Sequence, residues 1–402
     1  MPTVDKKILD DAAAKENLPY TQQSGWDDVA DSQVGQEVNY RLTGTIASNY
    51  ATFDTYAYKF TDNLSTGLDY VNDSVEVYAL NNNAYTKISS SSYTVKIQDK
   101  NLTVDFAVDN NGNKGLKSAT ADGTGTLSID ANTKIVVFYK AKLNKNAVTG
   151  NGDSEGKKGN YNSVKLEYSN NPYTEGTGTS VEGGAGDFTF KLNLNKVDQG
   201  TEKGLQGAVF TIQPADASTQ NQYVASMDDE DENVVAGQLV TVESANLPSY
   251  VKFTSDAEGK IAASGLDAGS YKVTEVQTPD DSKYTKAKPF TFTIAPTYNK
   301  TTMKVETLEA KVSPADEGRS DIAFGTLDGN AGDNDLNGQN NTGTNATTGE
   351  VTINVGNTKS VGLPLTGLNG VTFTWIAGGA VLCIGVAHLI RSRKQAEESE
   401  QE

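Results

Sequence analysis

Thiols and imidazoles are nearly absent from this 402-residue chain, which has one cysteine, Cys383, and one histidine, His388. Both fall inside a single apolar run close to the C-terminus. The remainder therefore has no means of forming disulfides, cysteine or histidine nucleophilic dyads, thiolate clusters or His-ligated zinc. Basic residues are also in deficit: 34 Lys and Arg stand against 52 Asp and Glu, for a net charge of -18. A nucleic-acid partner needs clustered cations on one face, so nucleic acid is excluded. No phosphate loop or dinucleotide fingerprint is present, and no helix period is evident before residue 360. The expectation is a protein without cofactor and without a turnover enzyme's constellation of groups.

What is present is alternating β pattern punctuated by Gly, Asn and Ser, with 36% hydrophobic residues. That content suffices for β-sandwiches, which fill only the inner face of each sheet. Two blocks are predicted, residues 1–172 and 187–360. A polar, Gly-rich stretch over 173–186 reads as the linker between them. Two long polar insertions in the second block, QPADASTQNQYVASMDDEDENV and DGNAGDNDLNGQNNTGTNATTGE, read as mobile loops. The acidic run Asp228 to Glu232 in the first of these reads as solvated.

Polar residues at the ends of apolar faces carry the chemistry. Successive side chains of a strand alternate between its faces. In FTFKLNLNKVD the inward set is Phe188, Phe190, Leu192, Leu194 and then Lys196. In SYKVTEV it is Tyr271, Val273 and Glu275, and in VTINVGNTK it is Val351, Ile353, Val355 and Asn357. Burying a lone Lys is costly. An amine, a carboxyl and a carboxamide meeting in one core resolve that cost chemically. Desolvation lowers the amine pKa and raises the carboxyl pKa, which yields a neutral nucleophile and a protonated acid. Attack of Lys196 on the Asn357 side-chain carbonyl, promoted by Glu275, would expel ammonia and leave an isopeptide bond, once per molecule. The alternative is three separately solvated strand ends. In the first block, Val4, Lys6 and Ile8 share a face, as do Tyr56, Tyr58, Phe60 and Asp62, and Asn162, Val164, Leu166 and Tyr168. Lys7 is the immediate neighbour of Lys6, and Asp62 could instead begin a turn.

The C-terminal apolar run, Val371 to Ile390, is twenty residues without a formal charge. As a helix it would span about 30 Å, the thickness of a bilayer core. Arg391, Arg393 and Lys394 follow it, a positive-inside stop. Leu363, Pro364, Leu365, Thr366 and Gly367 precede it. This ordered signal resembles the LPxTG sorting signal of Gram-positive surface proteins. The resemblance implies cleavage by a sortase between Thr366 and Gly367, with the Thr366 carbonyl joined to an amine of the peptidoglycan wall or of a neighbouring pilin subunit. The membrane would then be a partner only before sorting, and the mature chain would lie at the cell surface, covalently attached. MPTVDKKILDD has no apolar leader, so the native chain is expected to begin further upstream.

Two further resemblances follow the polar sets. Lys196-Val197-Asp198 with Gly204-Leu205-Gln206-Gly207-Ala208-Val209-Phe210, the stretch Gly265 to Glu275, and Asn357 in the last strand resemble a CnaB-type domain of Gram-positive pilins and adhesins. That family's acid falls on Glu275 and its acceptor on Asn357. Thr61 to Tyr70, Phe138 to Asn144 and Asn160 to Pro172 resemble an isopeptide-forming fimbrial D2 domain. This second resemblance implies Lys6 as donor, Asn162 as acceptor and Asp62 as acid. The expected fold class is all-β: tandem immunoglobulin-like (Cna-type) sandwiches followed by a transmembrane sorting helix. Over nearly its whole length the chain is similar to LPxTG-anchored major pilins, which implies a fimbrial backbone subunit that supports adhesion. The alternative is a minor pilin or monomeric adhesin presenting its long loops to a host or microbial ligand. No Lys-bearing pilin motif is found in the chain. Asp333, Asp335 and Asn337 have the opening spacing of a calcium loop without its closing acid, and Asp109, Asn111 and Asn113 form a weaker version.

Overall fold

The computed structural model describes residues 1–359 apart from 16, 124, 155, 217–220 and 326–342. Among the described residues regular structure consists of strands and short 3-10 turns. The expected all-β class holds. Residues Met1–Lys359 form one compact unit built from two sandwiches, each with its own apolar core.

The first sandwich packs two seven-stranded sheets. In one, Val4–Leu9 pairs with Glu37–Thr45, which pairs with Lys134–Leu143. In the other, Tyr58–Leu64 lies between Asn101–Phe106 and Asn160–Ser169. Strict alternation explains the packing: along Tyr58–Leu64 every second side chain is buried and the others are half-buried. Aromatic rings fill the space between the sheets, among them Tyr40, Tyr56, Tyr58, Phe60 and Tyr139, none of them accessible to solvent.

The second sandwich has two five-stranded sheets. One carries Lys260–Leu266, Phe190–Asp198 and Glu350–Asn357 side by side. The first and last long strands of this block run parallel, with Lys196 in register with Val355 and Asp198 with Asn357. The facing sheet carries Val209–Pro214, Gly269–Gln277, Phe290–Asn299 and Lys304–Val312.

Two sequence expectations need correction. The Gly-rich stretch 173–186 is not a free joint. Thr177–Thr179 and Gly183–Phe188 are strands that pair with Asn160–Ser169 and extend the second sheet of the first sandwich. The glycines serve close packing here: a Cβ on Gly184 would lie 1.9 Å from the Tyr161 hydroxyl oxygen. The first insertion of the second block is not all loop either. Gln222–Val224 and Leu239–Thr241 form a hairpin, and Val224 and Ala225 are buried. The acidic run is largely exposed, as expected, and Lys145 of the first sandwich donates to Asp228 Oδ2 at 3.1 Å on the surface.

The sandwiches meet through directed hydrogen bonds. Asp31 accepts from the Ala268 N–H at 3.1 Å and from the Tyr298 hydroxyl at 2.6 Å. Gln33 Oε1 accepts from the Tyr271 hydroxyl at 2.9 Å and from the Asp267 N–H at 3.0 Å. On another part of the junction, Asn151 Oδ1 accepts from the Val305 N–H at 2.8 Å while its Nδ2 donates to the Val305 and Ala346 carbonyls.

Candidate functional site

Among the described residues two lysines are fully buried, Lys6 and Lys196, and each is the centre of a polar cluster sealed inside one sandwich. In the second sandwich, Phe190–Asp198 and Glu350–Asn357 bring Lys196 and Asn357 together from adjacent strands of one sheet. Glu275 reaches them from Gly269–Gln277 in the facing sheet. Lys196 Nζ donates to Asn357 Oδ1, and to the Val355 carbonyl at 3.1 Å. Asn357 Nδ2 donates to Glu275 Oε1 at 3.0 Å, and that same oxygen lies 3.9 Å from Lys196 Nζ. The Ala287 N–H holds the other carboxylate oxygen at 2.6 Å. All three predicted side chains converge, and none is more than 3% exposed.

Burial sets the electrostatics. Desolvation lowers the Lys196 pKa to about 8, against the opposing pull of Glu275. Desolvation also raises the Glu275 pKa, with Lys196 pulling the other way. Both shifts favour the neutral pair, an amine and a carboxylic acid, over the ion pair. An unprotonated amine against an amide carbonyl, with an acid on the amide nitrogen, is equipped for acyl transfer.

The first sandwich distributes its groups differently. Lys6 lies in one sheet, whereas Asp62 and Asn162 lie on adjacent strands of the other. Lys6 Nζ donates to Asp62 Oδ2, and to the Tyr139 hydroxyl at 2.7 Å. That hydroxyl donates to Asp62 Oδ1 at 3.0 Å and accepts from Asn162 Nδ2 at 2.6 Å. The rings of Tyr40 and Tyr139 flank the amine, with centroids 4.9 and 5.2 Å from Nζ. Desolvation lowers the Lys6 pKa to about 8 despite Asp62, and raises that of Asp62 despite Lys6.

Geometry disposes of Lys7 as donor and of the turn reading of Asp62. Lys7 points away from the core to Asp28, 2.6 Å distant. Asn160, on the same face as Asn162, is engaged by the Val148 N–H and by the Val148 and Asp187 carbonyls. Asp62 sits within a strand and is 1% exposed, so it begins no turn. Tyr139 is the member of this cluster that sequence reasoning missed. Its signal was available: it shares the inward face of IVVFYKAKL with Val137, Ala141 and Leu143, and a buried tyrosine hydroxyl requires a partner.

Other predicted residues are not placed. Leu363, Pro364, Leu365, Thr366 and Gly367, the apolar span after them, and Asp333, Asp335 and Asn337 all lie outside the described residues. Among the described residues no helix is long and apolar enough to cross a membrane. Asp109 turns its carboxylate onto the N–H groups of Asn111 and Asn113, at 2.8 and 3.0 Å.

Residues 190–309 match the family model of the SpaA prealbumin-like fold domain. This stretch begins with the strand of Lys196 and includes Glu275. The match falls within the second sandwich and stops short of its last strand, Glu350–Asn357. Outside this domain the likeness is to solved structures. The modular three-domain backbone pilin of Streptococcus pyogenes is 14% identical with a TM-score of 0.50, over 90% of this chain and 70% of that one. The pilus 2b backbone protein of group B streptococcus is 20% identical with a TM-score of 0.49, over 83% of this chain and 97% of that one. At such identities the likeness is one of fold. No curated protein matches the sequence.

Proposed function

We propose that this chain is a structural subunit of a sortase-assembled, wall-anchored pilus whose two sandwiches are each locked by an internal Lys–Asn isopeptide bond. The observation that carries the reading is the buried contact of the Lys196 amine with the Asn357 carboxamide, with Glu275 against both. The step balances simply. Lys196 passes a proton to Glu275 and the amine nitrogen bonds to Asn357 Cγ; Glu275 then gives its proton to Nδ2 and takes the second excess proton from Nζ, and the Cγ–Nδ2 bond breaks with release of ammonia. No cofactor and no turnover are involved. The likeness to backbone pilins and the ordered signal from Leu363 to Lys394 support the pilus reading and its place on the cell surface, with sortase, neighbouring subunits and peptidoglycan as partners.

Intact mass of the folded chain tests the chemistry: a deficit of two ammonias is expected, and Lys196→Ala restores one. A full complement of mass in the wild type rejects the crosslinks. Cell-wall extracts test the assembly. A ladder of covalent multimers is expected, whereas a single band points to a monomeric adhesin on the same scaffold.

A further inference from the structure

The two clusters solve the same chemical problem with different parts. In the second sandwich the acid touches the amide nitrogen directly, with Asn357 Nδ2 on Glu275 Oε1 at 3.0 Å. In the first sandwich it is the Tyr139 hydroxyl that meets the amide nitrogen of Asn162, at 2.6 Å, and the same hydroxyl meets the amine of Lys6 at 2.7 Å. A phenol has one proton and two lone pairs. Here the lone pairs face the two nitrogens and the proton goes to Asp62 Oδ1. The hydroxyl is thus in contact with the nitrogen that must lose a proton and with the nitrogen that must gain one.

Accepting the ligation reading for the first sandwich, on which this inference rests, we propose that Tyr139 is a catalytic residue of that ligation, the proton bridge from Lys6 Nζ to the departing Asn162 Nδ2. Lys6 first gives one proton to Asp62 Oδ2, with which it is in direct contact. The neutralised carboxyl then holds the phenol proton less strongly, and the O–H is free to turn toward Nδ2. The amine lone pair bonds to Asn162 Cγ, and the carbonyl π electrons move to Oδ1. The new bond leaves a second excess proton on Nζ. Tyr139 takes it while giving its own proton to Nδ2, so the phenol is unchanged. The Oδ1 electrons re-form the carbonyl, the Cγ–Nδ2 bond breaks, and ammonia leaves with the Asp62 proton as ammonium. Asp62 and Tyr139 are both restored. Neither Tyr40, which stacks on Tyr139 at 5.3 Å between centroids, nor any other hydroxyl in the cluster makes both contacts.

The test follows loss of ammonia by mass in the freshly folded full chain, with peptide mapping to locate each bond. The Lys196–Asn357 bond acts as an internal standard for folding. In the wild type both bonds form. In Tyr139→Phe the Lys196–Asn357 bond is expected at the wild-type rate and the Lys6–Asn162 bond at least ~100-fold slower, the lower end of general acid–base contributions. Should Tyr139→Phe fail to fold, meta-fluorotyrosine in place of Tyr139 preserves ring and hydroxyl while raising phenol acidity, and the rate of the first bond alone is expected to change. If Tyr139→Phe forms both bonds at the wild-type rate, or the fluorinated chain is indistinguishable from wild type, the bridge is overturned and the ligation reading stands. If the wild type itself lacks the Lys6–Asn162 bond, both fall.

Discussion

At the residue scale the decisive quantity is the cost of burying an amine. Lys6 and Lys196 are held where water cannot reach them, and an unpaired charge in such a place is strongly unfavourable. Each is therefore given a carboxyl, and burial moves both partners toward neutrality. Ligation would remove the titratable amine altogether, and this yields a prediction with a definite sign. Asn357→Ala leaves Lys196 buried and free to titrate. Its folded pKa of about 8 lies below its unfolded value of 10.5. Below pH 8 both states carry the proton, and the folded state bears the full desolvation cost. Between 8 and 10.5 the unfolded state binds more protons, so stability rises with pH across that window. Denaturant unfolding of Asn357→Ala on either side of pH 8 is expected to show the rise, and the wild type to lack it. These lysines were legible in the sequence because alternation placed them inward. Tyr139 was passed over because a buried tyrosine is ordinarily core, and only its three hydrogen bonds distinguish it.

At the element scale alternation was reliable wherever a strand is long. The inward sets of Phe190–Asp198, Gly269–Gln277 and Glu350–Asn357 are buried as read from the sequence. Composition misled where it stood in for geometry. Gly183, Gly184 and Gly186 suggested slack, yet they lie in a strand where neighbours crowd a Cβ, prohibitively at Gly184 and tightly at the other two. Another glycine positions the site itself. Gly259, at φ +81°, accepts a hydrogen bond from the Lys196 N–H at 2.7 Å, and a Cβ there would stand 2.2 Å from the Lys196 carbonyl oxygen. Gly259→Ala is expected to destabilise the domain by about 1–3 kcal/mol through backbone strain and to slow Lys196–Asn357 ligation by shifting the donor strand. Thermal unfolding and the time course of ammonia loss check this. An unaltered time course would show that Lys196 is positioned independently of this contact.

At the scale of the whole molecule the two crosslinks would differ in kind. The Lys196–Asn357 bond would join adjacent parallel strands of one sheet, whereas Lys6–Asn162 would span the two sheets of a sandwich. Each would close a long loop, worth about 5 kcal/mol by chain entropy, beside a typical domain stability of about 5–15 kcal/mol. Between the described sandwiches no such pair of groups is found; they meet through hydrogen bonds such as those of Asp31, Gln33 and Asn151 and through the ion pairs Lys145–Asp228 and Lys300–Asp27. The junction should therefore be the weaker link. Asn151→Ala removes three hydrogen bonds across it. It is expected to speed proteolysis at the segment near Asn151 while leaving the two-ammonia mass deficit intact. Unchanged cleavage would place the strength of the junction elsewhere, in the Asp31 and Gln33 contacts.

The amino-acid sequence by itself determined the all-β class, the inward placement of Lys6, Lys196, Glu275 and Asn357, and the absence of thiol and imidazole chemistry from the described sandwiches. Those properties follow from strand period and from residue types, which need no knowledge of neighbours. Only the tertiary structure decided that Lys7 faces outward to Asp28, that the Gly-rich stretch is sheet, and that a tyrosine hydroxyl stands between amine and amide. The physical reason is that these depend on which strands become neighbours and in what register. That choice is made by packing between residues from about twenty to 133 positions apart, and no local pattern records it.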